Sequence, residues 1–312
     1  MPRKDRGYQD LIREIKEDNL SGATLISRKA ANAITLFSQK IKSPTTSLYY
    51  LSLLKVGKAL ISAQPDMTPI FNLVNSIVVA VEENRNRFTS DQLNNMVRKK
   101  AREFHKNSLK SQEDLADIGQ TLIFDGCTIL TYSFSNAVFF ILKKAKERRK
   151  RFKVVVSESR PVFEGRKLAL SLGKLGIPVT LVTDAALSLC LKKVDLVLVG
   201  ADSISEKSFV NKVGTYGLSL LAKEFGVPFY LAGEKTKFIS EKWRKSHKHR
   251  TDPEEVFSGK MKKVKIENPY FEEIPLSYCK KMIIPDGLIL PAQVSSEIKK
   301  TKVSKNLIQA IK

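Results

Sequence analysis

Residues 128–136 read TILTYSFSN, and the chain changes its structural pattern at this stretch. The apolar and β-branched run at 128–132 is typical of a short buried strand. Ser135 and Asn136 follow it directly and precede an apolar segment of helical length at 136–150, where such polar residues commonly cap a helix. The stretch therefore predicts a strand that ends in a polar turn and continues into a helix.

The same order of a short strand and a helix-length segment recurs through the rest of the chain. Strands that alternate with helices predict right-handed βαβ units and a mostly parallel sheet covered on both faces. We therefore expect a Rossmann-like α/β domain over residues 119–312. The further predicted strands are 153–156, 179–182, 195–199, 229–232 and 282–284, and the further predicted helices are 164–175, 185–191 and 215–225.

The first 118 residues have a helical pattern instead. In YQDLIREI at 8–15, apolar side chains recur at the spacing of one face of a helix. Similar patterns begin near Gly22 and continue through 51–60, 70–81 and 93–105. The sequence therefore predicts a helical N-terminal domain over residues 1–118.

Composition and charge narrow the class of protein. The 312 residues carry 54 Lys and Arg against 32 Asp and Glu, a formal net charge of +22, and 42% are hydrophobic, as in globular proteins. No apolar run approaches the ~20 residues that span a bilayer, and no apolar signal region follows Met1, so we expect a cytoplasmic protein with no membrane partner. The three cysteines are widely spaced and no metal motif is present, so we expect no metal and no cofactor.

Polar and charged side chains follow the predicted strands. In the order of the chain they are Ser135 and Asn136, Glu158 and Arg160, Asp202, and Asn211 and Lys212. Because the carboxyl ends of parallel strands meet at one edge of a sheet, these groups are expected to converge there. The start of a helix favours an anion, and Arg and Lys are suited to phosphate. A phosphorylated ligand fits this edge, although each residue taken alone could also be a helix cap or part of a loop.

Two common nucleotide-binding motifs are missing from the sequence. No GxGxxG follows the first predicted strand, and no GxxxxGK[ST] occurs anywhere. Dinucleotide-binding and P-loop interpretations therefore lack the glycines on which they depend.

Five blocks resemble one known superfamily. It contains the alpha, beta and delta regulatory subunits of the exchange factor for eukaryotic translation initiation factor two, together with ribose-1,5-bisphosphate isomerase and methylthioribose-1-phosphate isomerase. The resemblance covers nearly the whole chain and implies a helical N-terminal domain, a Rossmann-like C-terminal domain and dimerisation mainly through the latter. The blocks are TYSFS at 131–135, ESRP at 158–161, GAD at 200–202, NKVGT at 211–215 and NPYF at 268–271.

The chain departs from the isomerase pattern at the block after the first strand. The resemblance implies a catalytic cysteine at the position of Ser133 and a partner aspartate at Asp202, and Tyr132 replaces a histidine. A serine hydroxyl is a much weaker acid than a thiol and needs an activating base. Cys127, Cys190 and Cys279 are all predicted to lie away from this edge and to be buried small hydrophobes.

A second departure concerns the grip on a doubly phosphorylated sugar. The resemblance implies an arginine before the glycine at Gly22, a ligand-binding position, and another before Pro65. This chain has Ser21 and Gln64 there. Charge-assisted contacts of that kind contribute roughly 1.5–3 kcal/mol each, so their loss is expected to weaken bisphosphate binding.

Three hypotheses follow. The first is a non-catalytic regulatory protein that binds a phosphorylated sugar or nucleotide at the carboxyl strand ends, as a homodimer or with related subunits. The second is an aldose–ketose isomerase of a sugar 1-phosphate, with Asp202 and Ser133 as acid–base groups and with Arg160 and Lys212 on the phosphate. The third is an RNA-binding or ribosome-associated protein that acts through basic segments at 143–151, 244–250 and 260–265. For that charge, a solvated lysine-rich surface is an equally good interpretation.

Overall fold

The computed structural model describes residues 7–18, 22–244, 252–259 and 262–311, apart from the side chain of His105. The chain forms two compact units. The first contains Met1–Lys110, Lys242–Lys245 and Glu297–Lys312, and the second contains Ser111–Glu241 and Ser246–Ser296. The sequence predicts a division between residues 118 and 119, with the C-terminal residues in the second domain.

The first unit is helical, as predicted. Its helix α4 is apolar on nearly every side and buried, which is the pattern of a central helix. The helices are α1 (Tyr8–Glu17), α2 (Ala23–Lys40), α3 (Thr46–Ala63), α4 (Thr68–Asn84), α5 (Ser90–Gly119), which contains the boundary between the units, and, after the segments of the second unit, α11 (Lys305–Ile311).

The C-terminal segment joins the first unit through buried hydrogen bonds. The amide of Asn75, on α4, donates to the carbonyl of Lys302 at 2.8 Å and accepts from the backbone N–H of Ser304 at 2.9 Å. The side chain of Glu82 accepts from the Ser304 hydroxyl at 2.7 Å. These contacts join residues more than two hundred positions apart, which no local sequence pattern indicates.

The second unit alternates strands and helices, as predicted. Its strands are β1 (Thr128–Thr131), β2 (Lys153–Ser157), β3 (Val179–Val182), β4 (Leu196–Gly200), β5 (Ser203–Ile204), β6 (Ser208–Lys212), β7 (Phe229–Ala232), β8 (Phe271–Pro275), β9 (Lys281–Ile284) and β10 (Gly287–Ile289). Its helices are α6 (Asn136–Glu147), α7 (Glu164–Lys174), α8 (Leu187–Leu191), α9 (Thr215–Glu224) and α10 (Val294–Lys299), whose last residues fall in the first unit.

The main sheet has the order β10-β9-β7-β4-β1-β2-β3. Six neighbouring strands of this sheet run parallel: β9, β7, β4, β1, β2 and β3. The last strand, β10, pairs with β9 in the antiparallel sense. Strand order reverses between β1 and β4, because the chain moves from β1 to β2 on one side and returns to β4 on the other. In sheets of this kind, ligands bind at the carboxyl ends of the strands beside that reversal.

A smaller antiparallel sheet, not predicted from the sequence, follows β4. Its order is β5-β6-β8, and the β6–β8 pairing joins Asn211 to Glu272 and Lys212 to Phe271. The sheet therefore fixes the position of Asn211 and Lys212, which were expected from the sequence to follow the strand predicted at 195–199. None of the helices in the described ranges combines the length and the apolar character needed to cross a bilayer.

Candidate functional site

The reversal of strand order brings the ends of β1 and β4 together. Ser133 lies two residues beyond β1, and Asp202 lies two residues beyond β4. Gly200, the last residue of β4, lies close to the start of α6. A Cβ atom added at Gly200 would lie only 2.1 Å from the Ser135 hydroxyl oxygen. The two positions that the sequence assigned to acid–base chemistry therefore flank the reversal.

A buried hydrogen-bond network holds the turn that carries Ser133. Ser133 has a left-handed backbone, with φ 61°, and its N–H donates to the Ser159 hydroxyl at 2.8 Å. Asp184, after β3, accepts from the N–H groups of Ser159 at 2.8 Å and Arg160 at 2.7 Å, and from the Ser157 hydroxyl. One carboxylate thus orients the loop after β2, and through Ser159 that loop positions Ser133.

A second cluster is made of two lysines and two carboxylates. Lys212 is almost fully buried, and its ammonium group lies 2.6 Å from a carboxylate oxygen of Glu164 on α7. Lys237 is also buried and donates to the carbonyl of Ala201. Lys237, Lys212 and Glu164 all act electrostatically on Asp202. Buried lysines are uncommon, and here their charges surround one carboxyl group.

The pKa of Asp202 is raised above its ordinary value. Burial of the carboxyl group is the main cause; Lys237 and Lys212 oppose it and Glu164 adds to it. No side chain in the described ranges hydrogen-bonds to this carboxyl group. A carboxyl with a raised pKa beside a strand-order reversal can exchange protons closer to neutrality than an exposed one.

Three buried side-chain oxygens of the second unit have no hydrogen-bond partner among the described residues. They are Thr131 Oγ1, Glu164 Oε2 and Ser203 Oγ. Thr131 ends β1, Ser203 follows Asp202, and Glu164 pairs with Lys212. Because buried polar groups normally have partners, these atoms are suited to hydrogen-bond a polar ligand or ordered water.

Arg160 and Glu158 already have protein partners. The exposed guanidinium of Arg160 donates to the carbonyls of Glu255 and Val256 at 3.1 and 3.2 Å. Glu158 accepts from two guanidinium nitrogens of Arg166, at 3.1 and 2.5 Å. Arg160 has further donors for an anion, whereas Glu158 is committed to Arg166.

The other predicted ligand-binding residues fall into two groups. Ser135 caps α6 and accepts from the Val138 N–H at 3.5 Å, Asn136 begins that helix, and the amide of Asn211 donates to the Thr215 hydroxyl at 3.1 Å. These three lie at the same edge of the second unit. Gly22 is an exposed residue of the first unit, immediately before α2.

Ser21 and Gln64 occupy the two positions where the resemblance implies arginines. The buried Gln64 amide donates to the carbonyls of Ile15 at 2.9 Å and Asp18 at 3.1 Å, all in the first unit. Ser21 lies outside the described residues. Gln64 therefore ties α1 to the end of α3, a structural contact.

The cysteines lie away from Ser133. Cys127 and Cys279 are buried at the amino ends of β1 and β9, and burial raises the pKa of their thiols to about 11 and about 12. Cys190 is half-buried within α8. No group of three or more His, Cys, Asp and Glu side chains suited to a metal ion occurs in the described ranges.

Three important residues of this edge were not identified from the sequence. Glu164 reads as an acidic residue in the first turn of a helix, Asp184 as part of a turn, and Lys237 as one of many surface lysines. Their hydrogen-bond and ion-pair partners lie between 24 and 48 positions away along the chain, so only folding brings them together. The available signal was that each follows a strand of the main sheet within seven residues, Glu164 after β2, Asp184 after β3 and Lys237 after β7.

Comparison with known proteins identifies the family and the fold. The model of the Initiation factor 2 subunit family matches residues 19–291. A putative translation initiation factor eIF-2B subunit 2-like protein of Pyrococcus horikoshii is 32% identical over 90% of this chain and 96% of its own. A ribose 1,5-bisphosphate isomerase of Methanocaldococcus jannaschii is 35% identical over 90% and 92%. The crystal structure of the Pyrococcus horikoshii translation initiation factor eIF-2B superposes with a TM-score of 0.77 at 29% identity, covering 92% of this chain and 98% of that one.

Proposed function

The chain belongs to the Initiation factor 2 subunit family, and we propose that it is a regulatory-subunit-like, non-catalytic member that binds a phosphorylated sugar or nucleotide. The ligand binds at the carboxyl edge of the main sheet, beside the reversal between β1 and β4. The observation that carries the proposal is the cluster of Lys212, Lys237, Glu164 and Asp202 next to Ser133. The protein acts in the cytoplasm.

The cluster supplies the two kinds of contact that such a ligand needs. Lys212 and Lys237 are cations held in a poorly solvated site, where attraction to a phosphate is stronger than in water. Glu164 Oε2 and Ser203 Oγ are buried acceptors without partners in the described residues, and sugar hydroxyls can donate to them. The edge therefore suits a ligand with both phosphate and hydroxyl groups.

Ser133 supports the non-catalytic form of the proposal. No side chain in the described ranges hydrogen-bonds to its hydroxyl, so no base is arranged to activate it. Its N–H and left-handed backbone are held by Ser159, which fixes the turn without making the hydroxyl more acidic. The turn can position a ligand although the thiol implied by the resemblance is replaced.

Calorimetric titration with ribose 1,5-bisphosphate and with a nucleoside monophosphate tests the binding step. We expect Lys212→Met to weaken binding about tenfold or more, because one charge-assisted contact is lost. Lys192→Met, at an exposed lysine of the same unit, is the matched control and should bind like the wild type. Equal affinity of Lys212→Met and the wild type, or no binding of either ligand, would refute this site.

A second candidate function is an aldose–ketose isomerase of a sugar 1-phosphate. The observation that favours it is the raised pKa of Asp202 between two buried lysines. In this case Asp202 moves the proton between the two sugar carbons, Ser133 is the second proton carrier, and Lys212 and Arg160 hold the phosphate. Such a reaction depends on the protonation of Asp202.

Turnover separates the two candidates. An isomerase would give a bell-shaped rate profile near neutral pH and would lose its activity in Asp202→Asn. The regulatory protein binds the same sugars without converting them. If this protein binds these sugars but does not convert them, the first proposal is supported and the second is excluded.

We also propose that the protein associates with a second copy of itself or with related subunits. Leu170 on α7, Leu181 on β3 and Leu189 on α8 are exposed by 69%, 47% and 77%. Large apolar side chains grouped on consecutive elements at a sheet edge are typical of an interface. A partner subunit would cover them.

A further inference from the structure

A pocket at the opposite edge of the main sheet is separate from the candidate site. It is a cavity of about 490 Å³ at the amino ends of β1, β2 and β3, bordered by Gly126, Lys153 and Pro178. We call it the amino-edge pocket. Its volume lies in the range of small-molecule sites.

Five cationic side chains line the amino-edge pocket, and none of its lining residues in the described ranges carries a carboxylate. The cations are Lys146, Arg149, Lys150, Arg151 and Lys153. Most of them come from the basic segment 143–151. The other two basic segments fall partly outside the described ranges, at residues 245–250 and 260–261.

Two of these lysines also have a structural role. Lys150 donates to the carbonyls of Gln120 and Ile123 at 2.6 and 2.7 Å, and Lys146 donates to that of Gly176 at 2.8 Å. Lysines near a helix end commonly satisfy carbonyls in this way. Carbonyl partners are neutral, however, and no carboxylate of the described residues pairs with either ammonium group.

The other three cations are not explained by structural contacts. Arg149 and Lys153 have no hydrogen bond or ion pair from their side chains in the described residues, and Arg151 lies 3.6 Å from Asp125 while being 86% exposed. On α6 and just after it, Lys143, Lys144 and Arg148 are instead paired with Glu147 or Asp117. Among the cations that line the pocket, Arg149 and Lys153 therefore have no side-chain partner in the described residues, and Arg151 has only a solvent-exposed ion pair.

The backbone of Arg149 supplies an independent observation. It follows the end of α6 with a φ of 61°, in the left-handed region where glycine is the usual residue. An arginine at this position is less favourable than glycine, and residues in such conformations cluster at ligand sites. Arg149 thus places a long cationic side chain at a position where glycine would be more favourable for folding.

The uncharged part of the lining is apolar. Exposed Pro178 and the outer edges of Phe152 and Ile177, which are otherwise buried in the core of the sheet, form it together with two glycines. An apolar surface beside several unpaired cations is complementary to a molecule with a flat apolar part and several negative charges. Inorganic anions match the charges alone.

We propose that the amino-edge pocket binds a nucleoside polyphosphate. The base lies against Phe152, Ile177 and Pro178, and the phosphates lie among Arg149, Arg151 and Lys153. The guanidinium groups of the two arginines are suited to phosphate through paired hydrogen bonds.

Titration of the full chain with ATP, tripolyphosphate and a short oligouridylate tests the proposal. We expect ATP to bind more tightly than tripolyphosphate, and Arg149→Gly to weaken ATP binding about tenfold or more. The melting temperature of Arg149→Gly should equal or exceed that of the wild type, because glycine relieves the backbone, so lost binding cannot be due to unfolding. Arg148→Gln, next in sequence but not lining the pocket, should bind ATP like the wild type.

Four results would overturn the proposal. The first is no ATP binding, and the second is the same affinity in Arg149→Gly as in the wild type. The third is equal affinity for tripolyphosphate, which would mean that charge alone is recognised. The fourth is tighter binding of the oligouridylate than of ATP, which would assign the pocket to RNA.

Discussion

The ionised form of Asp202 lowers the stability of the fold, and the surroundings of its carboxyl group explain why. Its side chain is half-buried, Lys237, Lys212 and Glu164 act on its carboxyl group, and the net effect of that environment raises its pKa. A raised pKa means that the folded state binds a proton more tightly than the unfolded chain does. Ionised Asp202 therefore destabilises the fold at neutral pH, which is typical of a residue kept for its function.

We predict that Asp202→Asn is more stable than the wild type at pH 7, since asparagine removes a charge from the buried site. Each unit by which the pKa is raised corresponds to about 1.4 kcal/mol. The advantage should be complete above the folded-state pKa of Asp202 and should disappear as the pH falls toward about 4, where the wild-type carboxyl is also protonated. Thermal unfolding of both proteins between pH 4 and 8 measures it.

The control for this prediction is Asp286→Asn. Asp286 is exposed and pairs with Lys235 on the surface, so its substitution should change stability little at any pH. A wild type that is more stable than Asp202→Asn at pH 7 would contradict the assigned electrostatics of the site.

At the residue scale, the sequence identified the groups next to strand ends but not their partners. Ser133 and Asp202 follow β1 and β4, parallel strands that were recognisable from their apolar runs, whereas Asn211 and Lys212 lie on β6, which was not predicted. The partner of Lys212 was not identified either, because Glu164 is 48 positions away along the chain, in the first turn of α7. Lys237 looked like any lysine in a very basic chain.

At the scale of the elements, the packing of α7 requires its first turn to approach the end of β2 closely. Gly165 lies in the first turn of α7, and a Cβ atom there would lie 1.7 Å from the carbonyl oxygen of Ser157 at the end of β2. The same turn supplies Glu164 to Lys212. The packing of this helix against its strand thus sets the position of the charge cluster.

We predict that Gly165→Ala lowers the free energy of unfolding by about 2 kcal/mol or more, because backbone atoms must move to admit the methyl group. Gly173→Ala is the control within the same helix: its Cβ would meet no atom within 4 Å, so the change should be neutral or stabilising by up to about 1 kcal/mol. Urea denaturation measures both. Equal stability of the two variants would show that α7 can move away from β2 at no cost.

The strands missed from the sequence share a physical cause. β5 has two residues and β10 has three, too short for a periodic pattern. β6 and β8 are stabilised by pairing with each other across about sixty residues, and β8 ends in Pro275. By contrast β3 and β7 were predicted with their observed bounds, because each is a short run rich in apolar and β-branched residues, although only β7 is buried.

At the scale of the whole molecule, we predict that Leu189→Glu yields monomers where the wild type forms dimers or larger assemblies. Leu189 is 77% exposed, so glutamate there leaves the fold intact but places a charge in the interface. Light scattering after size exclusion measures the mass, and circular dichroism monitors the fold. Leu109→Glu, on α5 of the first unit, is the control and should leave the mass unchanged. A monomeric wild type would contradict the proposed association.

The central claim is that the carboxyl edge binds a phosphorylated sugar but does not convert it. NMR of the pure wild-type protein with ribose 1,5-bisphosphate tests it most directly, since binding and ketose formation are observed in one sample. We predict ligand signals shifted or broadened by binding, with no ketose over many hours. Conversion at about one turnover per second or faster, abolished in Asp202→Asn, would contradict the claim and identify an isomerase.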